Sequence, residues 1–319
     1  MKQLYHILFI VIFTLTSATQ INAAPMGPGT NPGNPGIGTG GMPIFHMPDR
    51  PWMKGPNTFD MAGPMSEMNT IMANTATFSG ITQRPDGTIF LYSKQPGHVF
   101  AYMVPETGFN ASQTAGTQGP SIHFGPDGSL IMVTSHGTFT AMPYFHNVDD
   151  FEALVDSAFG MQMTMTYQAD GSFIINYPGL PYGFSLRPDP EAVFGDGTDT
   201  AGLKLPPGLT DFSPFSLRYT DGFSQNFRPA FAHADEVMAG LGKLPGMSNI
   251  QMNADGSISV TWTDGQVSYR LTLMSSMVVS NADTTNITPG FSQSQDGSWW
   301  YTYANGLMQR FRIEATLGQ

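Results

Sequence analysis

The sequence predicts a mainly β fold assembled from six copies of one antiparallel meander of about 42 residues, and three observations carry that reading. Asp-Gly pairs or their equivalents recur at Asp86, Asp127, Asp170, Asp211, Asp255 and Asp296, at intervals of 41, 43, 41, 44 and 41 residues. A fixed period of this size marks a chain built by stacking one supersecondary unit. Around each pair, apolar residues alternate with polar ones, as on a half-buried strand. The copies also pair at second order: Asp86, Asp170 and Asp255 are 84 and 85 apart, and each of these three follows a helix candidate.

The fifth copy shows the unit most clearly. Residues 249–253 read as a strand, Ala254-Asp255-Gly256 as a turn, 257–263 as an alternating strand with Ile258 and Val260 on one face, Thr263-Asp264-Gly265 as a second turn and 266–274 as a third strand. Asp-Gly supplies the positive-φ residue of a tight hairpin without steric cost. In the other copies apolar residues follow the Asp by three and five positions, as at Ile89 and Leu91, Leu130 and Met132, Phe173 and Ile175, and Trp299 and Tyr301. The fourth copy departs: Asp211-Phe212-Ser213-Pro214 lacks the Gly, so an irregular first turn is expected there.

Helices are expected at 149–159, where Phe151, Leu154, Val155, Ala158 and Phe159 fall on one face, at Ala234–Leu241, and at 65–72. Asn147 can cap the first of these, Asp149 and Asp150 suit its positive end, and Gly160 can end it. The second-order unit is then helix, meander, long loop, meander, giving modules at about 62–145, 146–231 and 232–315.

Two segments precede the repeats. Residues 1–23 read as a secretory signal: Lys2, a short apolar core from Ile7 to Leu15, and a small-residue site at Ile21-Asn22-Ala23. That core is too short to span a bilayer, so the processed chain is not expected to cross a membrane by a helix. Residues 24–60 are rich in Pro, Gly and Met without hydrophobic period and read as a flexible tether. Export to periplasm or cell exterior follows as the expectation.

Composition narrows the function classes. No cysteine is present, so an exported chain of this kind folds without disulfides and relies on its core. The net charge of −11 and the lack of a basic run argue against nucleic acid as a partner. No Gly-x-Ser-x-Gly elbow and no phosphate-binding glycine loop appears, and catalysis by a cysteine nucleophile is excluded. A non-catalytic scaffold for an envelope protein or glycan is therefore the leading expectation, with a surface-matrix protein, a metal-binding protein or an unrecognised enzyme as alternatives.

Ile81-Thr82-Gln83-Arg84-Pro85-Asp86-Gly87-Thr88-Ile89-Phe90-Leu91, with Val99-Phe100-Ala101-Tyr102, and Ile122-His123-Phe124-Gly125-Pro126-Asp127-Gly128-Ser129-Leu130 resemble blades of NHL-type and gluconolactonase-type six-bladed β-propellers. The resemblance covers the first two copies, and it implies a six-bladed β-propeller. The helices depart from that pattern and raise the alternative of three α+β modules in a continuous or three-fold sheet arrangement. A lactonase activity is not implied, because the acidic metal ligands of that family have no counterpart in these strands. Strands of six to eight residues would also fall short of the 9–11 of an outer-membrane barrel.

Candidate ligands follow from chemistry. Met42, His46, Met47 and Met53 lie in the tether, where thioethers have no core to fill and could hold Cu(I). Met65, Met68 and Met72, and Met161, Met163 and Met165, are expected to fill the core instead. Asp196 and Asp199 offer oxygen ligands in a Gly turn that could bind calcium, though a full ligand set is lacking. His98, His123, His136 and His146 cluster in or just after the first two copies, without a short metal-binding spacing. Arg187, Arg228, Arg270, Arg310 and Arg312 fall on third strands, and Trp262, Trp299 and Trp300 enrich the last module. Arg and Trp are favoured at interfaces, so Arg270, Arg310, Arg312, Trp262, Trp299 and Trp300 form the candidate partner surface.

Overall fold

The computed structural model describes residues 61–160, 162–176, 182–195, 198, 200–205, 214–280 and 287–318. The signal, the tether and the fourth copy's Asp211 turn lie outside the described residues. The fold is mainly β and antiparallel, with three helices among the described residues.

Each expected meander is present. The first runs through β1 (Phe78–Gln83), β2 (Ile89–Ser93) and β3 (His98–Met103), followed by the two-residue β4 (Phe109–Asn110). The second is β5 (Ser121–Phe124), β6 (Leu130–Thr134) and β7 (Gly137–Pro143), and the third β8 (Thr164–Tyr167), β9 (Phe173–Asn176) and β10 (Tyr182–Phe194). The fourth is β11 (Gly202–Lys204), β12 (Phe215–Arg218) and β13 (Phe223–Pro229). The fifth is β14 (Met247–Met252), β15 (Ile258–Asp264) and β16 (Val267–Ser280), and the sixth β17 (Gly290–Gln293), β18 (Trp299–Thr302) and β19 (Leu307–Leu317).

The first turns repeat one construction. In each of five copies the Asp carboxylate accepts the backbone N–H two residues on, at 2.9–3.0 Å: Asp86 from Thr88, Asp127 from Ser129, Asp170 from Ser172, Asp255 from Ser257 and Asp296 from Ser298. The intervening glycine takes a φ between 78° and 89°, which a side chain would resist.

Third strands join the meanders in pairs. β3 pairs with β7, β10 with β13 and β16 with β19, all antiparallel. Each module thus has six strands in the order β1-β2-β3-β7-β6-β5 of the first, where the short β4 adds a seventh by pairing with β7 beside β3. Third strands also link modules. Residues 98–100 of β3 pair with 191–193 of β10, and residues 182–184 of β10 pair with 277–279 of β16. No pairing closes a sheet on itself among the described residues.

This double duty explains a difference from the expected strand lengths. β10 and β16 run for 13 and 14 residues because each serves more than one partner in succession along an edge, and β19 runs for 11 because it follows β16 over most of its length. Irregularities at 188–192 in β10 and at 275–278 in β16 mark the change of partner. Strand length therefore gives no argument against an outer-membrane barrel for these three.

Helix α1 (Ala62–Ala73), α2 (Val148–Phe159) and α3 (Ala234–Leu241) belong to one module each. Asn147 caps α2 by accepting the Asp150 N–H at 3.2 Å, and Gly160 ends it at φ 66°. Phe151 and Val155 are buried while Phe159 is exposed, so the apolar stripe is narrower than its sequence spacing. The helix side of each sheet holds a core. Met65, Met68 and Met72 of α1 pack with Ile81, Leu91, Leu130 and Phe139. Phe145, Phe151, Phe173 and Phe227 form the second core, with ring centroids 4.8 Å apart from Phe145 to Phe151 and from Phe151 to Phe227. Phe231, Phe291, Tyr301 and Phe311 form the third. Each fully buried ring of this kind contributes about 1.5–3 kcal/mol.

Candidate binding face and junction pocket

The third module presents the predicted Arg and Trp residues on two different faces. Side chains alternate along β16 and β19, so Leu271, Leu273, Gln309 and Phe311 turn to the core. Arg270, Met274, Arg310 and Arg312 turn the other way. Register places Arg270 opposite Thr316, Met274 opposite Arg312 and Trp300 opposite Arg310. Arg270, Arg310, Arg312 and Trp300 therefore share one outward sheet face. Arg270 and Arg312 are exposed, and Trp300 and Arg310 are half-buried. The Trp300 indole N–H donates to the Ser294 hydroxyl at 3.1 Å, which holds the ring across the strand. Arg312 meets Glu314 at 3.3 Å, with both side chains at least half exposed, so that pair contributes little to stability.

Trp262 and Trp299 are elsewhere. Trp262 is 2% exposed and stacks on Tyr269 with centroids 5.6 Å apart, so it packs the interior and takes no part in an outward surface. Trp299 faces Phe311 on the core side. Arg187 is likewise not on a solvated face: it is 2% exposed. Its guanidinium donates to the Asp127 carbonyl of the first module and approaches the Met252 sulfur of the third at 3.6 Å. One side chain thus ties three modules together. Burial lowers its pKa, while Asp170 and Asp127 favour the charged form.

Beside it, Arg228 lies directly opposite Arg187 in the β10–β13 ladder. Its Nε donates to both Asp189 carboxylate oxygens at 3.0 Å. Burial raises the Asp189 pKa, and Arg228 opposes that rise. Arg228 also lines a cavity of about 100 Å³ between the second and third modules, with Pro214, Pro229, Asp255, Ser257, Met274 and Ser275. The Ser257 hydroxyl donates to Asp255 at 2.6 Å. Met274 joins this cavity to the outward face, since Arg312 reaches its sulfur at 3.4 Å.

The tether ligands Met42, His46, Met47 and Met53, and the loop ligands Asp196 and Asp199, lie outside the described residues, as does Met161. Among the described residues no three His, Asp or Glu side chains converge on a metal-sized site. The histidines take separate partners: His98 meets Glu191 at 2.6 Å, His146 meets Asp221 at 2.6 Å and His136 meets Glu67 at 3.3 Å. Among the described residues no helix is long and apolar enough to cross a membrane.

Two buried clamps escaped the reading of the sequence. Tyr219 donates to Gln225 Oε1, which also accepts the His146 N–H, and Gln225 Nε2 donates to the Tyr144 and Asp189 carbonyls. One module later Tyr303, Gln309, Ala232, Ala230 and Ser276 repeat the same bonds. The signal was present as Tyr219-Thr220-Asp221-Gly222-Phe223-Ser224-Gln225 and Tyr303-Ala304-Asn305-Gly306-Leu307-Met308-Gln309. A lone buried Gln carries no hydrophobic period and so leaves no mark in the apolar pattern. The chain matches no protein-family model and no curated protein.

Proposed function

We propose that this chain is an exported, non-catalytic repeat scaffold that binds a protein or glycan partner on the outward face of its third module. The observation that carries the reading is the alignment of Arg270, Arg310, Arg312 and Trp300 on one sheet face whose reverse side is packed core. Arginine and tryptophan combine large contact area with directional donors, the chemistry of interface anchors. Arg270, Arg310 and Arg312 bring three guanidiniums to one face, beside the carboxylates of Glu314 and Asp296, which suits a partner with carboxylates or acidic sugars. Export rests on the leader-like residues 1–23.

For the architecture, the pairing of third strands within and between modules supports three α+β units in a continuous sheet arrangement. It disfavours six independent propeller blades, whose sheets would not share such ladders. The test is crosslinking capture of the tagged mature protein from its native envelope, set against the Arg270→Glu, Arg310→Glu, Arg312→Glu triple variant. One near-stoichiometric partner held by the parent and lost from an equally stable triple variant is the expected result. Retention of the same partner by the triple variant would reject this face, and only self-crosslinks would favour a matrix protein.

A further inference from the structure

We propose that the cavity between the second and third modules is a binding site for one neutral sugar unit. The internal repeat supplies a control within the same molecule. Gly256 seats the first turn of the third module on Pro229 and Ala230, as Gly171 seats that of the second module on Met142 and Pro143. The ladder partners correspond as well: Arg187 faces Arg228 in one module and Met274 faces Arg312 in the next. The first junction is therefore built with Arg187 and Met142 where the second has Met274 and Arg228. At the first, the Arg187 side chain is buried and hydrogen-bonded to the Asp127 carbonyl, with Asp170 favouring its charge. At the second, Met274 stands in its place and a cavity of about 100 Å³ remains. The fold accommodates a buried arginine at this position in the first junction, so the methionine at the second is not a requirement of the architecture.

The lining selects the ligand class. Asp189 neutralises Arg228, which weakens the pull on a free carboxylate, and Asp255 would repel one. An ammonium group would meet Arg228. A neutral polyol avoids both penalties: Arg228 offers donors, Asp255 an acceptor, and Ser275 a buried hydroxyl without a hydrogen-bond partner. Pro214, Pro229 and Met274 supply an apolar wall for the C–H face of a sugar ring. The volume suits part or all of one ring and not a drug-sized ligand.

The proposal is independent of the Arg and Trp face, and its test keeps the two apart. Saturation-transfer NMR on the mature protein would use methyl α-glucopyranoside, methyl β-galactopyranoside and N-acetylglucosamine, with glucuronate and glucosamine as charged controls. At least one neutral sugar should give saturable transfer. Met274→Arg, which copies the arginine of the first junction, and Arg228→Met combined with Asp189→Asn, which copies its Met142 without stranding the Asp189 carboxylate, should each weaken binding about tenfold or more in a protein that still folds. The Arg270→Glu, Arg310→Glu double variant, which leaves the Arg312 contact to Met274 in place, should bind the sugar as the parent does. No saturable signal from any neutral sugar would overturn the proposal. So would equal binding by both folded cavity variants, or a preference for glucuronate. A trisaccharide of the preferred unit binding tighter than the monosaccharide would identify a glycan chain as the source, and equal binding a free sugar.

Discussion

At the residue scale the Asp-Gly turns do more than reverse the chain. Asp296 accepts the Ser298 N–H and the hydroxyls of Ser294 and Ser298, and these bonds hold its carboxyl down at about 2. Glu67 is lowered chiefly by the Ser135 hydroxyl, with the Ser135 N–H adding a bond at 2.9 Å. A carboxylate that is more acidic in the folded state adds stability above its unfolded pKa, and that stability is lost as pH falls through the folded value. The melting temperature should therefore hold from neutral pH to about 5 and fall between about 4 and 2. The double variant Asp296→Asn, Glu67→Gln should fall less over that interval. A drop parallel to that of the parent in calorimetry would assign the acid sensitivity to other carboxylates.

At the element scale, polar ties place each helix against its own hairpins. An acidic residue of each helix accepts a backbone N–H from the second turn of that module's closing meander. Glu67 accepts from Ser135, Asp150 from Thr220 at 3.0 Å and Glu236 from Ala304 at 2.9 Å. The Gln clamps add a second tie, between the segment entering the helix and the irregularity of the long strand. Module one has no such clamp among the described residues. Thr134 bonds locally to the Gly137 carbonyl, and Phe139 packs into the methionine core. Replacing Gln225 with Leu would orphan the His146 N–H and the carbonyls of Tyr144 and Asp189, all in buried or part-buried bonds. The expected loss is about 3 kcal/mol by chemical denaturation, with Tyr219→Phe costing about 1 kcal/mol. A Gln225→Leu protein as stable as the parent would show that water satisfies these groups.

At the scale of the whole molecule, the modules follow one docking rule and the last module breaks it. The start of β3 is covered by the end of β10, and the start of β10 by the end of β16. The start of β16 is covered instead by the end of the chain's own β19. Tyr269, Arg270 and Leu271 pair with Leu317, Thr316 and Ala315. The extension is exposed from Glu314 onward, with Leu317 at 73%, so backbone bonds rather than burial hold it. The extension occupies the hydrogen-bonding edge at the start of β16, which would otherwise be open to another strand. Truncation after Arg312 should leave the fold intact by circular dichroism but produce concentration-dependent self-association in sedimentation. A strictly monomeric truncated protein would contradict this role for the tail.

The sequence by itself determined the local grammar of this protein. The Asp-Gly period located the meanders, and the apolar spacing with Asn147 and Gly160 located α2. The alternation at 299–301 placed Trp299 and Trp300 on opposite faces. These are short-range matters, decided by glycine's access to positive φ and by which face of a strand or helix is apolar. Only the tertiary structure decided that Arg187 is buried while Arg270 is exposed, though both are arginines on third strands. It alone joined third strands across a module, prolonged β10 and β16 to serve two neighbours, and turned Trp262 inward. Those outcomes depend on which distant strand supplies the next hydrogen-bonding edge. Period and composition carry no information about that choice, because every meander offers nearly the same edge.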